Sequence, residues 1–208
     1  MSSLGRLHLI TDTRPGRDPL AVLRAALPVA RGELVVQVRV GDDATDREAY
    51  DLARRVVALC ARHDATCLVN DRLHVALAVG AAGGHVGAHD LPVGAARRVL
   101  GSTAVLGATA REPGAAAEAV AAGASYLGVG PFRPTRTKDG LPPAIGVGGV
   151  RAVAEAVTVP VVAIGGVTAA DVRALRAAGA YGVAVVGALS GAADPARATT
   201  ELLGALTC

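Results

Sequence analysis

"VPVVAIGGVTAADVRALRAAGAYGVAVVGAL", residues 159–189, reads as a strand, a helix and a second strand in immediate succession. Two short β-branched runs, VPVVAIG at 159–165 and GVAVVG at 182–187, flank an alanine- and arginine-rich stretch at 168–178. Thr168 stands where a helix N-cap belongs and Gly179 follows the helix end, so both boundaries carry suitable residues. Strands joined by single helices predict a parallel sheet covered by helices.

The same rhythm extends back to the N-terminus. Further strands are expected at 7–11, 33–39, 66–69, 84–87, 104–108 and 125–130. Helices are expected at 18–30, 45–63, 72–80, 92–99, 112–122 and 148–156, and a last one at 195–206, with Asp194 and Pro195 at its start. Eight strand–helix pairs in 208 residues predict an α/β chain folded as a compact single-domain (β/α)8 barrel, residues 1–208 forming one domain. The competing open doubly wound sheet lacks its glycine fingerprint, because GVGGV at 146–150 follows no strand.

Composition narrows the function. Phe132, Tyr50, Tyr126 and Tyr181 are the aromatic residues, which argues against base stacking, and the net charge of +3 is scattered rather than gathered into a basic stripe, so no nucleic-acid partner is expected. No apolar window approaches the length of a membrane span, and no export signal is read at the N-terminus. Cys60, Cys67 and Cys208 show no metal spacing, so a reduced, cytoplasmic protein is expected. A homodimer is an admissible assembly.

In a barrel of this kind chemistry gathers where the strands end. Gln37 and Arg39 alternate at the end of the second strand, Asn70 and Asp71 follow the third, His89 and Asp90 the fourth, and Thr109 the fifth. The sixth leads into 131–147, "PFRPTRTKDGLPPAIGV", a loop with four prolines that is long enough to be a lid and carries Thr135, Thr137 and Lys138. Lys138 is the chain's single lysine, a compact charge that arginine does not always replace. Gly165 and Gly166 after the seventh strand and Gly187 after the eighth would let backbone N–H groups approach a phosphate, or else serve only as tight turns. Asp71 and Asp90 could share a hard cation such as Mg2+, or else cap the helices that follow.

These residues, with "LHLITD", "VQVR", "LVNDRLHVALAVGAAGGHVGAHDLP", "YLGVGPFRPTRTK", "VPVVAIGGV" and "GVAVVGAL" in that order, resemble the thiamine-phosphate synthase family. The resemblance implies joining of a phosphorylated pyrimidine and a phosphorylated thiazole. An aminopyrimidine methyl pyrophosphate would lose pyrophosphate and the thiazole nitrogen would take its place, through a pyrimidine-stabilised carbocation. By residue match, Asp71 and Asp90 would hold Mg2+. Gln37, Arg39, Asn70, Thr109 and Lys138 would contact the pyrimidine pyrophosphate, with Lys138, Arg39 and Thr109 acting on the departing charge. Thr135, Thr137, Gly165, Gly166, Val186 and Gly187 would hold the thiazole phosphate.

The chain departs from the family where "QLREK" has become Gln37, Val38, Arg39, Val40 and Gly41, so a lysine is missing beside the pyrophosphate. Arg133 or Arg136 on the loop is expected to compensate. Thr109 and Gly187 replace serines. Two rivals share the barrel: a thiazole tautomerase, whose catalytic histidine would stand where this chain has Pro131, and a non-catalytic thiazole-phosphate-binding relative.

Overall fold

The structure, a computed structural model, describes residues 4–135, 137 and 140–207. Eight strands alternate with helices: β1 (Leu7–Ile10), α1 (Pro19–Ala30), β2 (Leu34–Val38), α2 (Asp46–Ala61), β3 (Thr66–Asn70), α3 (Leu73–Val79), β4 (Gly83–Val86), α4 (Val93–Leu100), β5 (Val105–Ala110) and α5 (Pro113–Ala121). They continue with β6 (Tyr126–Val129), α6 (Gly146–Ala156), β7 (Val161–Ile164), α7 (Ala169–Ala177), β8 (Gly182–Val185), α8 (Gly187–Ser190) and α9 (Pro195–Thr207). Every strand pairs in parallel with the next, and Leu7 pairs with both Leu34 and Val183, which closes the sheet into a barrel. The (β/α)8 expectation holds, with all eight strands in place.

The strands are buried on both faces, as apolar runs in a helix-covered parallel sheet must be. Residues facing outward, such as Leu9, Val36, Leu106 and Leu127, pack with the helices' apolar faces in one continuous aliphatic layer. Each fully buried aliphatic there contributes about 2 kcal/mol. Inward-facing residues form a second, smaller cluster of Ile10, Val35, Leu68, Tyr126, Val162 and Ala184. The tyrosine fits because β5 offers Gly107: a side chain there would start 2.3 Å from the Tyr126 ring and 2.4 Å from the His85 ring.

Caps set the helix starts. Thr45 and Glu48 form a reciprocal capping box on α2, Thr168 and Asp171 form another on α7, and Asp18 accepts from the Leu20 and Ala21 N–H groups at 2.9 and 3.1 Å. Asp194 accepts from the Arg197 N–H at 3.0 Å, as its place before Pro195 predicts. Most boundaries move by a residue or two from the sequence reading, and three of the shifts bear on the site. The eighth strand stops at Val185, and Gly187 opens a one-turn helix, α8, whose apolar residues look like strand continuation in sequence. Arg39 lies beyond β2, and α6 begins at Gly146. Among the described residues no helix is long and apolar enough to cross a membrane.

Candidate active site

At the carboxyl end of the barrel a small pocket opens over the inward-facing side chains, Gln37, His85, Thr109, Tyr126 and Ile164 among them. A chain of hydrogen bonds crosses its floor. The Gln37 Nε2 lies 3.5 Å from the Tyr126 hydroxyl, that hydroxyl lies 3.1 Å from His85 Nδ1, and His85 Nε2 lies 3.0 Å from Thr109 Oγ1. Burial pushes the Tyr126 phenol up, so it stays protonated and can donate. Below it His8, fully buried and 5.1 Å from the Tyr126 ring centre, has its pKa lowered to about 3 by burial and by His85, which keeps it neutral. Gln37 and Thr109, both expected at the site, thus reach one pocket. The sequence places His85 near the rim but gives neither it nor Tyr126 a role, and their signal is slight: an imidazole and an aromatic at inward positions of otherwise aliphatic strands.

Arg39 leaves β2 with its backbone fixed on both sides by one hydroxyl, Thr11 Oγ1 donating to the Arg39 carbonyl at 2.7 Å and accepting from its N–H at 2.8 Å. Its guanidinium, partly exposed, lies 3.7 Å from the exposed Asp42 carboxylate, a contact weak enough to yield to a ligand. Asn70 closes β3 and pairs in register with His85. Asp71 follows with φ at +60°, a left-handed conformation that costs a non-glycine residue energy, although aspartate is among those that tolerate it. Its N–H donates to the His85 carbonyl at 2.9 Å, so the strained turn is held against the neighbouring strand.

Asp90, at the end of that neighbouring strand, folds back so that its Oδ2 accepts from the Gly87 N–H at 2.6 Å. Neither aspartate is the N-cap residue of the helix that follows: those are Arg72 for α3 and Pro92 for α4, neither with a side-chain cap bond of its own. Among the described residues no group of three or more His, Cys, Asp or Glu is gathered as a metal cluster. Two carboxylates on adjacent strand ends are nonetheless a donor set that fits Mg2+, which takes oxygen ligands and keeps waters.

The opposite half of the rim is built from backbone. The loop after β6 is stitched down by Phe132 and Arg133, whose N–H groups donate to the Ile164 and Gly165 carbonyls at 2.7 and 2.9 Å. Its return is held by the Ile145 and Gly146 N–H groups on the Pro131 and Phe132 carbonyls, at 2.9 and 3.1 Å. Thr135 and Thr137 hydroxyls lie 3.1 Å apart. Thr137 approaches Gly187, where a side chain would start 3.5 Å from its Cγ2. Gly166 has φ at +67°, and a side chain there would start 2.9 Å from Arg133 Cβ, so this glycine is required by the turn and by the loop lying on it. Gly165 likewise abuts Pro131. Val186 is the residue capping α8.

That short helix is tied to β1. Ser190 Oγ donates to Asp12 Oδ2 at 2.6 Å, Arg14 donates to the same carboxylate through Nε and Nη2 at 2.8 and 2.7 Å, and Arg17 Nη1 donates to the Ser190 carbonyl at 3.0 Å. Arg14's hydrogen bonds hold the Asp12 carboxyl well below the usual range, against the opposing effect of burial. The sequence reading passed over Asp12. Lys138 and Arg136 lie outside the described residues. Arg133 does not turn to the pocket as a spare cation: its Nη2 is 2.6 Å from the buried Asp171 Oδ1 and its guanidinium covers the Phe132 ring. His74 is exposed and lies 3.0 Å from Asp46.

The pattern of one family, thiamine monophosphate synthase, matches residues 7–189, and thus all eight strands. The chain belongs to that family. A thiamine-phosphate synthase of Salinispora tropica is 80% identical over 207 residues, covering 100% of both chains, and that of Salinispora arenicola is 79% identical over 208 residues with the same coverage. Among solved structures, a thiamine phosphate pyrophosphorylase from Pyrococcus furiosus superposes with a TM-score of 0.85 at 35% identity, covering 97% of this chain and 95% of that one. A 3-hexulose-6-phosphate synthase, at 23% identity and a TM-score of 0.72 over 97% of this chain and 99% of that one, shares the fold. The activity is that of a transferase of thiamine biosynthesis, which forms thiamine phosphate. Of the three readings the sequence left open, this is the synthase.

Proposed function

We propose that the chain joins hydroxymethylpyrimidine pyrophosphate to thiazole phosphate at this rim, with Asp71 and Asp90 holding Mg2+. The observation that carries the reading is Asp71 itself. An aspartate kept at left-handed φ where β3 opens into the mouth, with a second carboxylate, Asp90, beyond the adjacent strand β4, is strain held where a cation would sit. When bound, Mg2+ supplies positive charge to the pyrophosphate oxygens.

The residues would divide the work as follows. Gln37, Asn70 and Thr109 orient the pyrimidine pyrophosphate over the pocket, and the Tyr126–His85 pair fixes the Thr109 hydroxyl. The bond from the pyrimidine methylene to oxygen breaks first, and its electron pair leaves with the pyrophosphate. Arg39 and Lys138 stabilise that charge as it grows. The thiazole ring nitrogen, which has no proton to lose, donates its lone pair to the methylene carbon and forms the new bond, so no general base is needed. Thr135, Thr137, Gly165, Gly166, Val186 and Gly187 hold the thiazole phosphate through hydroxyls and backbone N–H groups. Residues 1–208 act as one catalytic unit, a homodimer being compatible because every proposed residue belongs to one chain. The buried free thiols of Cys60 and Cys67 support a reducing, cytoplasmic setting.

The test is product formation from both substrates with excess Mg2+, beside the same reaction in EDTA. Thiamine phosphate that appears only with the metal is the expected result. Equal product in EDTA would remove Mg2+ from the site, and no product in either would remove the synthase reading.

A further inference from the structure

Arg111 carries the single buried side-chain nitrogen among the described residues that has no hydrogen-bond partner, its Nε. Folding that desolvates an N–H without replacing its bond to water is unfavourable, and such groups are rare enough to require an explanation. Arg111 follows β5 directly and stands two residues after Thr109, so strand alternation carries it toward the same mouth that Thr109 lines. Its Nη2 donates to the Pro143 carbonyl at 2.7 Å, in the returning arm of the β6–α6 loop. One edge of the guanidinium is thereby fixed to the lid, and the Nε–H is left over.

Strand β2 delivers Arg39 but is followed by Gly41, and Arg133 is committed to Asp171 at 2.6 Å. We propose that Arg111 is a further cation of the pyrophosphate subsite beside Arg39 and Lys138, tied to the β6–α6 loop through Pro143 and giving its Nε–H to a phosphoryl oxygen when pyrophosphate is bound. This rests on the synthase reading above and deepens it. A planar guanidinium suits the role, because anchoring one nitrogen sets the plane in which the others meet phosphate oxygens. The orphaned nitrogen is then a donor waiting for the ligand.

Inorganic pyrophosphate with Mg2+, titrated calorimetrically into the full chain, reads the subsite without turnover. Arg111→Gln keeps an N–H for the Pro143 carbonyl and removes the charge. It is expected to weaken pyrophosphate binding at least about tenfold, on the scale of a charge-assisted contact, while thiazole phosphate binding stays within about twofold. Adding Gly41→Lys to that variant is expected to recover at least about half of the loss on a logarithmic scale. A side chain at Gly41 would meet only the carboxylate end of the exposed Asp43, which can move. Pyrophosphate affinity within about twofold of the native chain, or a loss that Gly41→Lys fails to recover, overturns the proposal. The two readings fail separately. A native chain that forms no thiamine phosphate while Arg111→Gln still loses pyrophosphate sinks the synthase reading alone. Product formation by a native chain whose Arg111→Gln variant binds pyrophosphate normally sinks this one alone.

Discussion

The two halves of the barrel mouth are built by different means. From β2 to β5 the strands end in side chains that carry a charge, an amide or a hydroxyl: Gln37, Arg39, Asn70, Asp71, Asp90 and Thr109. From β6 to β8 they end in glycines and a loop laid across them, with Gly165 and Gly166 at positive φ and Gly187 opening α8. The first half can stabilise charge as it moves, since its groups are ions or are aligned by neighbours such as the Tyr126–His85 pair. The second can offer neutral N–H groups and the hydroxyls of Thr135 and Thr137, which suits a phosphate whose charge does not change during the reaction. Reaction and anchoring are thus separated across the mouth, and substitutions in the two halves are expected to differ in kind as well as in size.

Asp90→Asn tests the charged half most severely. Asparagine is the same size, and its carbonyl can still accept from the Gly87 N–H as the Asp90 carboxylate does. The substitution therefore removes charge and little else. Thiamine phosphate formation at saturating substrates and fixed excess Mg2+ is expected to fall at least about a hundredfold, on the scale of losing one electrostatic group from a transition state. The melting temperature is expected to move by less than about 4 °C. Turnover within about fivefold of the native chain would mean that Asp90 holds no metal, and the comparison between halves would lose its main support.

Lys138→Ala is expected to cost about tenfold in turnover with the fold intact, a smaller loss because a single monovalent cation is withdrawn while Arg39 and the metal remain. The rate under saturating substrates, not the binding of thiazole phosphate, is where the loss should appear. An unchanged rate would leave the chain's single lysine without the role assigned to it.

The fold was legible because its signal repeats. Eight apolar runs separated by eight helical stretches survive errors of a residue or two at each boundary, and the sheet closes whatever those errors are. The site was legible in proportion to how much of it is chemistry on side chains. Asp71, Asp90, Arg39 and Thr109 stand out because acids, cations and hydroxyls at strand ends are conspicuous. Three things were hidden. The Tyr126–His85 pair depends on the space left by Gly107, and absent side chains announce nothing about what fills their place. The tie from Asp12 to Ser190 joins residues at opposite ends of the chain. The engagement of Arg133 by Asp171 removed a cation that sequence had offered as a substitute, because one arginine in a loop reads the same whether it faces a pocket or a helix start.

Gly187→Ser tests the quieter half. The glycine's φ is not left-handed, so a side chain is sterically admissible there, and its first carbon would stand 3.5 Å from Thr137 Cγ2, at ordinary contact distance. The added hydroxyl would sit at the start of α8 beside Val186, close enough to the proposed phosphate position to donate one more hydrogen bond. One neutral hydrogen bond gained on binding is worth about 0.5–1.5 kcal/mol, so KM for thiazole phosphate is expected to fall about two- to fivefold. KM for the pyrimidine pyrophosphate and the maximal rate should stay as they are, because nothing in the charged half has moved. Steady-state kinetics with each substrate varied in turn separates these outcomes. A rise in thiazole phosphate KM instead would mean that the serine presses on Thr137 and that the lid, rather than the α8 backbone, sets the fit of the phosphate. A change in the maximal rate would mean that the two halves are coupled through the loop, and that the division of labour drawn above is too sharp.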